Sequence, residues 1–388
     1  MTDSIYFDNS ATTPVSERAA RKALEAMTQT WGNPSSVHGK GVEAERMVAE
    51  ARARVIRALG IKNPRSGSLF FTGSGTEADN MAITGVLQAK TFRGTPRVIT
   101  TDSEHPAVLN PLREAELRGV EVIRLRTRGG VIDFDELSQA LTPGTVLVSL
   151  MLVNNETGAV YDVKRAFALA KERCPDVVTH CDAIQGFTKL DCDPKKLNAD
   201  LISVSGHKIG APKGIGALFC DGTLLTKKRI VPIVFGGGQE NGYRSGTENV
   251  PGIVAFGEAA LERTESREED YACVSALRRT LLEGLPDGVT VNTPRGDYLP
   301  HIVSITVPGI KSEVLVRALS AEGIYLSAGS ACSSKKLKTS TALTAFGLAP
   351  EDADSTVRVS LSHRNTAEET VIFCRALASA MTRLARKR

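Results

Sequence analysis

A hydroxyl, an imidazole and an amine stand together in Val204-Ser205-Gly206-His207-Lys208. Glycines and a proline follow at once in Ile209-Gly210-Ala211-Pro212-Lys213-Gly214-Ile215-Gly216. The apolar run 201–204 delivers this group like a strand. Strand ends that break into Gly-rich loops are where α/β enzymes place chemistry. A lysine there serves as a surface charge, as a phosphate contact, or as a nucleophilic amine if desolvation and neighbouring charge lower its pKa. Ser205 and His207 carry the donors to hold a phosphate. A reactive lysine beside a phosphate grip is the minimum equipment of pyridoxal phosphate chemistry. Gly-rich lysine loops are common, so this stretch decides nothing alone.

Other polar strand ends add to it. Gly73-Ser74-Gly75-Thr76-Glu77-Ala78 lies between an apolar run and a helical pattern, where backbone N–H groups can close around an anion. It is neither a P-loop nor the dinucleotide fingerprint, and a plain strand-to-helix turn capped by Thr76 explains it equally well. Thr179-His180-Cys181-Asp182-Ala183-Ile184-Gln185 ends another apolar run. A carboxylate there, three residues before an amide, suits a ring nitrogen, although capping a helix is the commoner fate of such an aspartate. Val153-Asn154-Asn155-Glu156-Thr157-Gly158 and Glu104-His105-Pro106 are further turns of this kind.

The elements that position them alternate. Strands are expected at 69–72, 98–100, 120–125, 146–152 and 177–181, with helices at 76–88, 107–117, 133–141 and 163–172 between them. This order implies a mostly parallel sheet with helices on both faces, whose polar strand ends project to one side. Runs 201–204 and 217–220 leave no room for a helix between them, so part of the sheet is expected to be antiparallel. Ser16 caps a helix at 17–28, 31–39 is a loop with the sole tryptophan, and 41–59 is helical. After the Gly-rich segment 236–246 comes a long helical stretch, 250–285, interrupted near Ser266. Strands near Val289 and at 302–307, 324–326 and 357–359, with helices at 312–321 and 366–386, complete an α+β unit. The expected division is a large domain at 16–258 and a smaller one formed by 1–15 and 259–388.

At 388 residues, 41% hydrophobic and 24% charged, the composition is that of an ordinary globular chain. A net charge of +4 is too small to argue for nucleic acid. No apolar run approaches the roughly 20 residues that span a bilayer, and the first residues do not read as a secretory leader. The cysteines at 174, 181, 192, 220, 273, 332 and 374 form no Cys-x-x-Cys pair, so no zinc site or disulfide framework is expected. A reduced cytoplasmic setting follows.

Taken in order, these segments resemble the cysteine desulfurases of the NifS and IscS kind, in the class V aminotransferase group of fold type I pyridoxal phosphate enzymes. The matching stretches run nearly end to end: Phe7-Asp8-Asn9-Ser10-Ala11-Thr12-Thr13, Gly32-Asn33-Pro34-Ser35-Ser36-Val37-His38, 71–80, Glu104-His105-Pro106, Asn154 to Gly158, Asp182-Ala183-Ile184-Gln185, Ser205-Gly206-His207-Lys208, Gly236-Gly237-Gly238-Gln239-Glu240, Arg244-Ser245-Gly246-Thr247-Glu248-Asn249 and Ser327-Ala328-Gly329-Ser330-Ala331-Cys332. The resemblance implies a pyridoxal 5'-phosphate fold with a seven-stranded sheet and a homodimer. It implies desulfuration of L-cysteine to L-alanine, with sulfur leaving as a persulfide on Cys332. An acceptor protein for iron–sulfur cluster assembly or thiolation of tRNA or a cofactor would take it, and Cys332 could touch a cluster in passing; no resident metal is implied.

By the same resemblance, Lys208 carries the cofactor, Asp182 faces its ring nitrogen, Gln185 its phenolic oxygen and His105 its ring. Gly75, Thr76, Ser205 and His207 hold the phosphate, with Thr247 entering from the other subunit. Asn33, Asn155 and Arg358 grip the substrate carboxylate, for which a guanidinium fork is suited, and Asn155 also contacts the cofactor. Lys335 and Lys336 after the cysteine, and Ser362-His363-Arg364-Asn365, depart from the usual pattern. A selenocysteine lyase, another enzyme of the same group, or a non-catalytic scaffold for sulfur transfer are the alternative readings.

Overall fold

The computed structural model describes residues 4–89, 94–329 and 340–385; Cys332, Lys335 and Lys336 lie outside the described residues. The strands are β1 (Ile5–Tyr6), β2 (Gly67–Thr72), β3 (Arg97–Thr101), β4 (Glu121–Leu125), β5 (Thr145–Met151), β6 (Val178–Asp182), β7 (Leu201–Ser205), β8 (Gly216–Asp221), β9 (Thr290–Val291), β10 (Ile302–Thr306), β11 (Ile324–Tyr325), β12 (Ser327–Ala328) and β13 (Thr356–Ser360).

Seven of them form a sheet in the order β2-β8-β7-β6-β5-β3-β4. Strands β3 to β7 are parallel, and β8 is antiparallel to both β7 and β2. The expected antiparallel part is this edge, because residues 206–215 are too few for a crossover helix. Strand β2 therefore points the same way as β7. The carboxyl ends of β2, β3, β5, β6 and β7 all open on one side of the sheet.

Helices α1 (Glu17–Thr28), α2 (Gly39–Ala58), α3 (Gly75–Gln88) and α4 (Pro106–Glu116) follow the expected periodicity. Ser16 Oγ accepts from Ala19 N at 3.1 Å and starts α1, whose buried stripe is Ala19, Ala23 and Ala26. With α2 and the helix Val250–Glu265 it covers one face of the sheet, burying Phe71, Val204 and Phe256. Gly257 permits this close approach, since a Cβ there would lie 2.6 Å from Ala51 Cα. The opposite face is covered by α3 and α4 through Met81, Ile83, Val108 and Leu112. The long helical stretch is two helices, Val250–Glu265 and Arg267–Glu283, meeting at Ser266.

A separate core gathers Val303, Ile305, Leu315, Val357, Val359, Phe373 and Leu377 with Ile5 and Phe7. Its sheet is antiparallel, in the order β12-β13-β10-β9, while β1 pairs in parallel with β11, Ile5 against Ile324. The segment after β1 then leaves this core and crosses the open edge of the large sheet.

Candidate active site

A cavity of about 570 Å³ lies at the carboxyl edge of the large sheet. Its floor is made by strand ends, its roof by residues 10–11 after β1 and by Arg358 of β13. Ten of the residues singled out from sequence meet there.

One end is built for an anion. Ser74 caps α3, accepting from Glu77 N at 3.1 Å, so the backbone of Gly75 and Thr76 opens the helix toward the cavity. Gly75 is required, because a Cβ would sit 2.4 Å from Ile184 Cδ1 and 3.1 Å from Ser205 Cβ. The Ser205 hydroxyl lines the same corner, buried and without a hydrogen-bond partner among the described residues. Glu77 does not oppose an anion here, since Arg244 Nε neutralises it at 2.7 Å. His207 completes the corner, 3.3 Å through Nδ1 from Thr12 Oγ1, and burial, then Lys208, lower its pKa to about 4.

The middle holds the reactive groups. Lys208 Nζ donates to Ser10 O at 2.6 Å and Ala11 O at 2.8 Å. Gln185 Nε2 donates to the same Ser10 carbonyl at 3.0 Å, while its buried Oε1 has no partner among the described residues. Asp182 Oδ1 accepts from Ile184 N at 2.9 Å; burial raises its pKa to about 6, against the pull of that N–H and of Lys208. His105 caps α4 by accepting Ala107 N at Nδ1, 3.1 Å away, which puts the proton of the neutral ring on Nε2. Burial and the Lys208 charge lower its pKa to about 4, so the ring is neutral at pH 7.

The far end carries a guanidinium. Arg358 is buried, with Nη2 2.9 Å from Asp8 Oδ1 and Nη1 donating to Asn155 O at 2.8 Å. Its Nε has no partner among the described residues. Asn155 lines the cavity beside it, as do Gly329 and Ser340. Asn33 and Thr247 do not: Asn33 is exposed, its Oδ1 accepting Ser35 N, and Thr247 is exposed on the loop before the helix Val250–Glu265.

The aminotransferase class-V family matches residues 5–373. The chain is 39% identical over 94% of its length to a protein named cysteine desulfurase IscS from Methanosarcina thermophila, covering 89% of that protein. A solved NifS-like protein superposes with a TM-score of 0.90 at 33% identity, covering 99% of this chain and 100% of that one. A structure described as SspA in complex with cysteine gives 0.80 at 31% identity, over 93% and 100%. This chain belongs to the class-V aminotransferase family.

Class-V aminotransferases resembling cysteine desulfurases are pyridoxal phosphate enzymes, and the cavity fits that cofactor. The orphaned Ser205 hydroxyl and the α3 N-terminus await an anion, a buried carboxylate stands beside the lysine, and Gln185 Oε1 lacks a partner. Several residues that shape the site drew no role from sequence. Glu104 is buried, takes Thr101 Oγ1 at 2.7 Å and Met151 N at 3.0 Å, and burial raises its pKa to about 8. Glu156 accepts from Ser340 Oγ at 2.6 Å, and Asp79 and His180 lie behind Asp182. The recoverable signal was the period-two spacing of His180 and Asp182, which puts both on one face of a strand.

Proposed function

We propose that this class-V protein is a cysteine desulfurase that binds pyridoxal 5'-phosphate and converts L-cysteine to L-alanine, keeping the sulfur as a persulfide. The observation that carries this reading is the meeting of Lys208, Asp182 and an anion-binding corner at one end of a cavity with Arg358 at the other. It is strengthened by 39% identity to a cysteine desulfurase.

In this reading Gly75, Thr76, Ser205 and His207 hold the phosphate, Lys208 Nζ the aldehyde carbon, Asp182 the ring nitrogen and Gln185 the phenolic oxygen. The cofactor, when bound, supplies an electron sink that acidifies the α-carbon of an amino acid. Arg358, with Asn155, orients the substrate carboxylate. Lys208 Nζ, already held against two carbonyl oxygens, moves the α proton. Neutral His105 stays beside it without adding positive charge. Cys332 as thiolate attacks the substrate sulfur: an S–S bond forms, the Cβ–S bond breaks, and its electron pair goes with the carbon fragment, which takes up a proton. Cysteine and one enzyme thiol thus give alanine and one enzyme persulfide, with no other oxidant or reductant. Gly329 and Ser340, which flank the segment containing Cys332, both line the cavity, and this supports the assignment. Thr247 reaches the cavity of a second copy in a homodimer, and an acceptor protein in the cytoplasm takes the sulfur.

The test is alanine release from cysteine by protein loaded with the cofactor, with persulfide labelling of wild type and Cys332→Ala. Alanine from wild type alone supports the reading. Absence of alanine while the cofactor is bound at Lys208 would sink it.

A further inference from the structure

Behind Asp182 the cavity wall is dry and acidic. His180 and Asp182 share a face of β6, and α3 packs over it with Asp79. Asp79 and His180 are fully buried, with Asp79 Oδ1 3.6 Å from His180 Nε2. Neither Asp79 oxygen makes a close hydrogen bond among the described residues, although the Ser203 hydroxyl is near enough to favour its charged form. The imidazole is held from both sides, Nδ1 2.8 Å from Ser149 Oγ and Nε2 2.9 Å from Ser203 Oγ. Across the strands, Ser149 stands opposite His180 and Ser203 opposite Asp182. A buried acid without a partner is costly, and the chemistry above gives it no task. No group of three His, Cys, Asp or Glu placed for a metal ion occurs among the described residues, so a metal does not explain it.

Charge decides which acid ionises. Asp79, Asp182 and Glu104 share this wall, and buried carboxylates so close do not ionise together. Asp182 has the Ile184 N–H and the Lys208 charge to stabilise it. Asp79 has only the Ser203 hydroxyl nearby to favour its charged form; burial, then the Asp182 charge, outweigh it and push Asp79 well above the usual carboxylate range. His180 is neutral, because burial lowers it to about 3.

We propose that Asp79 and His180 are positioning residues for Asp182: protonated Asp79 faces Nε2 of neutral His180, and the pair keeps the negative charge of this wall on Asp182. This inference rests on the pyridoxal phosphate reading, in which Asp182 is the ring-nitrogen partner.

Asp79→Asn keeps the shape and a donor toward Nε2, whereas Asp79→Leu removes it. Three measurements are made on the full chain. They are the pH midpoint of the bound cofactor's visible band without substrate, the affinity of the apoprotein for pyridoxal phosphate, and the ¹⁵N-histidine spectrum. Asp79→Leu should weaken cofactor binding about 10-fold and move the midpoint by about one pH unit, the scale of a changed neighbour beside a buried carboxylate. Asp79→Asn should rescue both, and His180 should be a neutral imidazole at pH 6. The inference is overturned if Asp79→Asn fails like Asp79→Leu, if Asp79→Leu lowers thermal stability but leaves the midpoint in place, or if His180 is an imidazolium at pH 6. A wild-type chain that binds no pyridoxal phosphate defeats the functional reading instead. The histidine spectrum of the apoprotein then still decides whether His180 is neutral as proposed.

Discussion

Arg358 already holds Asp8 and the Asn155 carbonyl before any substrate arrives. A substrate carboxylate has to share the fork, and lysine has no second arm to offer. Arg358→Lys is expected to raise KM for cysteine about 10- to 100-fold, the range for charged hydrogen bonds, with the visible band of the bound cofactor unchanged. Steady-state kinetics and an absorbance spectrum check this; parallel loss of cofactor would contradict it. Glu104 gives a second prediction. Its folded pKa is raised from 4.5 to about 8, so the native state keeps a proton that the unfolded chain releases. Stability is therefore lost as pH rises from 4.5 toward 8, by about 1.4 kcal/mol per unit at most. Glu104→Gln leaves Oε1 to accept from Thr101 and Met151 while removing the charge. Its melting temperature should gain on wild type between pH 5 and pH 8 in calorimetry; a constant offset would refute the assignment. His105 acts in the opposite sense: with its pKa lowered from 6.5 to about 4, stability falls as pH drops through that window.

Among the elements, the seam between α3 and β8 bears most directly on the anion corner. A Cβ on Gly216 would lie 2.5 Å from the Ser74 carbonyl carbon, a backbone atom that cannot step aside. Gly216→Ala should cost about 1–3 kcal/mol, as overpacking does, and weaken cofactor binding. Gly39→Ala, where nothing lies within 4 Å, is the neutral control. Denaturant melts and cofactor titrations of the two variants test the contrast. Such elements were legible where a long pattern met clear punctuation. Ser16 and the apolar spacing after it give the bounds of α1, and the short 206–215 link gives the antiparallel edge. Helices Pro194–Leu197, Gly222–Thr226, Thr341–Phe346 and Pro350–Asp354 were missed, because one turn shows no period. The site residues at strand ends converge because a parallel sheet gathers its carboxyl ends. The roles of Asp79, Glu104 and Glu156 stayed hidden, since a string of letters does not distinguish a buried acid from a solvated one.

At the scale of the whole molecule, exposed apolar side chains stand out on two loops, Trp31 at 66%, Val37 at 98% and Phe235 at 80%. The second loop leads on to exposed Thr247. If Thr247 serves a second copy, these loops are covered in a homodimer. Light scattering should give twice the 41.4 kDa chain mass. Emission of Trp31, the sole tryptophan, should shift to the red as the protein is diluted below its dissociation constant. A monomer that binds cofactor tightly and turns over cysteine would contradict this.

The strand β1 and the segment after it impose an order on biosynthesis. Asp8 meets Arg358 350 positions later, and Ile5 pairs with Ile324. At about 5–20 residues per second, a ribosome takes roughly 20–70 s to make the partner of Asp8. For that interval β1 waits without its neighbours, and Ser10 has its ties to Gln185 and Lys208 but not the one from its N–H to Ser360 Oγ. A nascent chain can therefore assemble the large sheet and its anion corner early, but not the grip on an amino-acid carboxylate. Desulfuration becomes possible only after the last strand has emerged, so an unfinished polypeptide releases no sulfur on the ribosome.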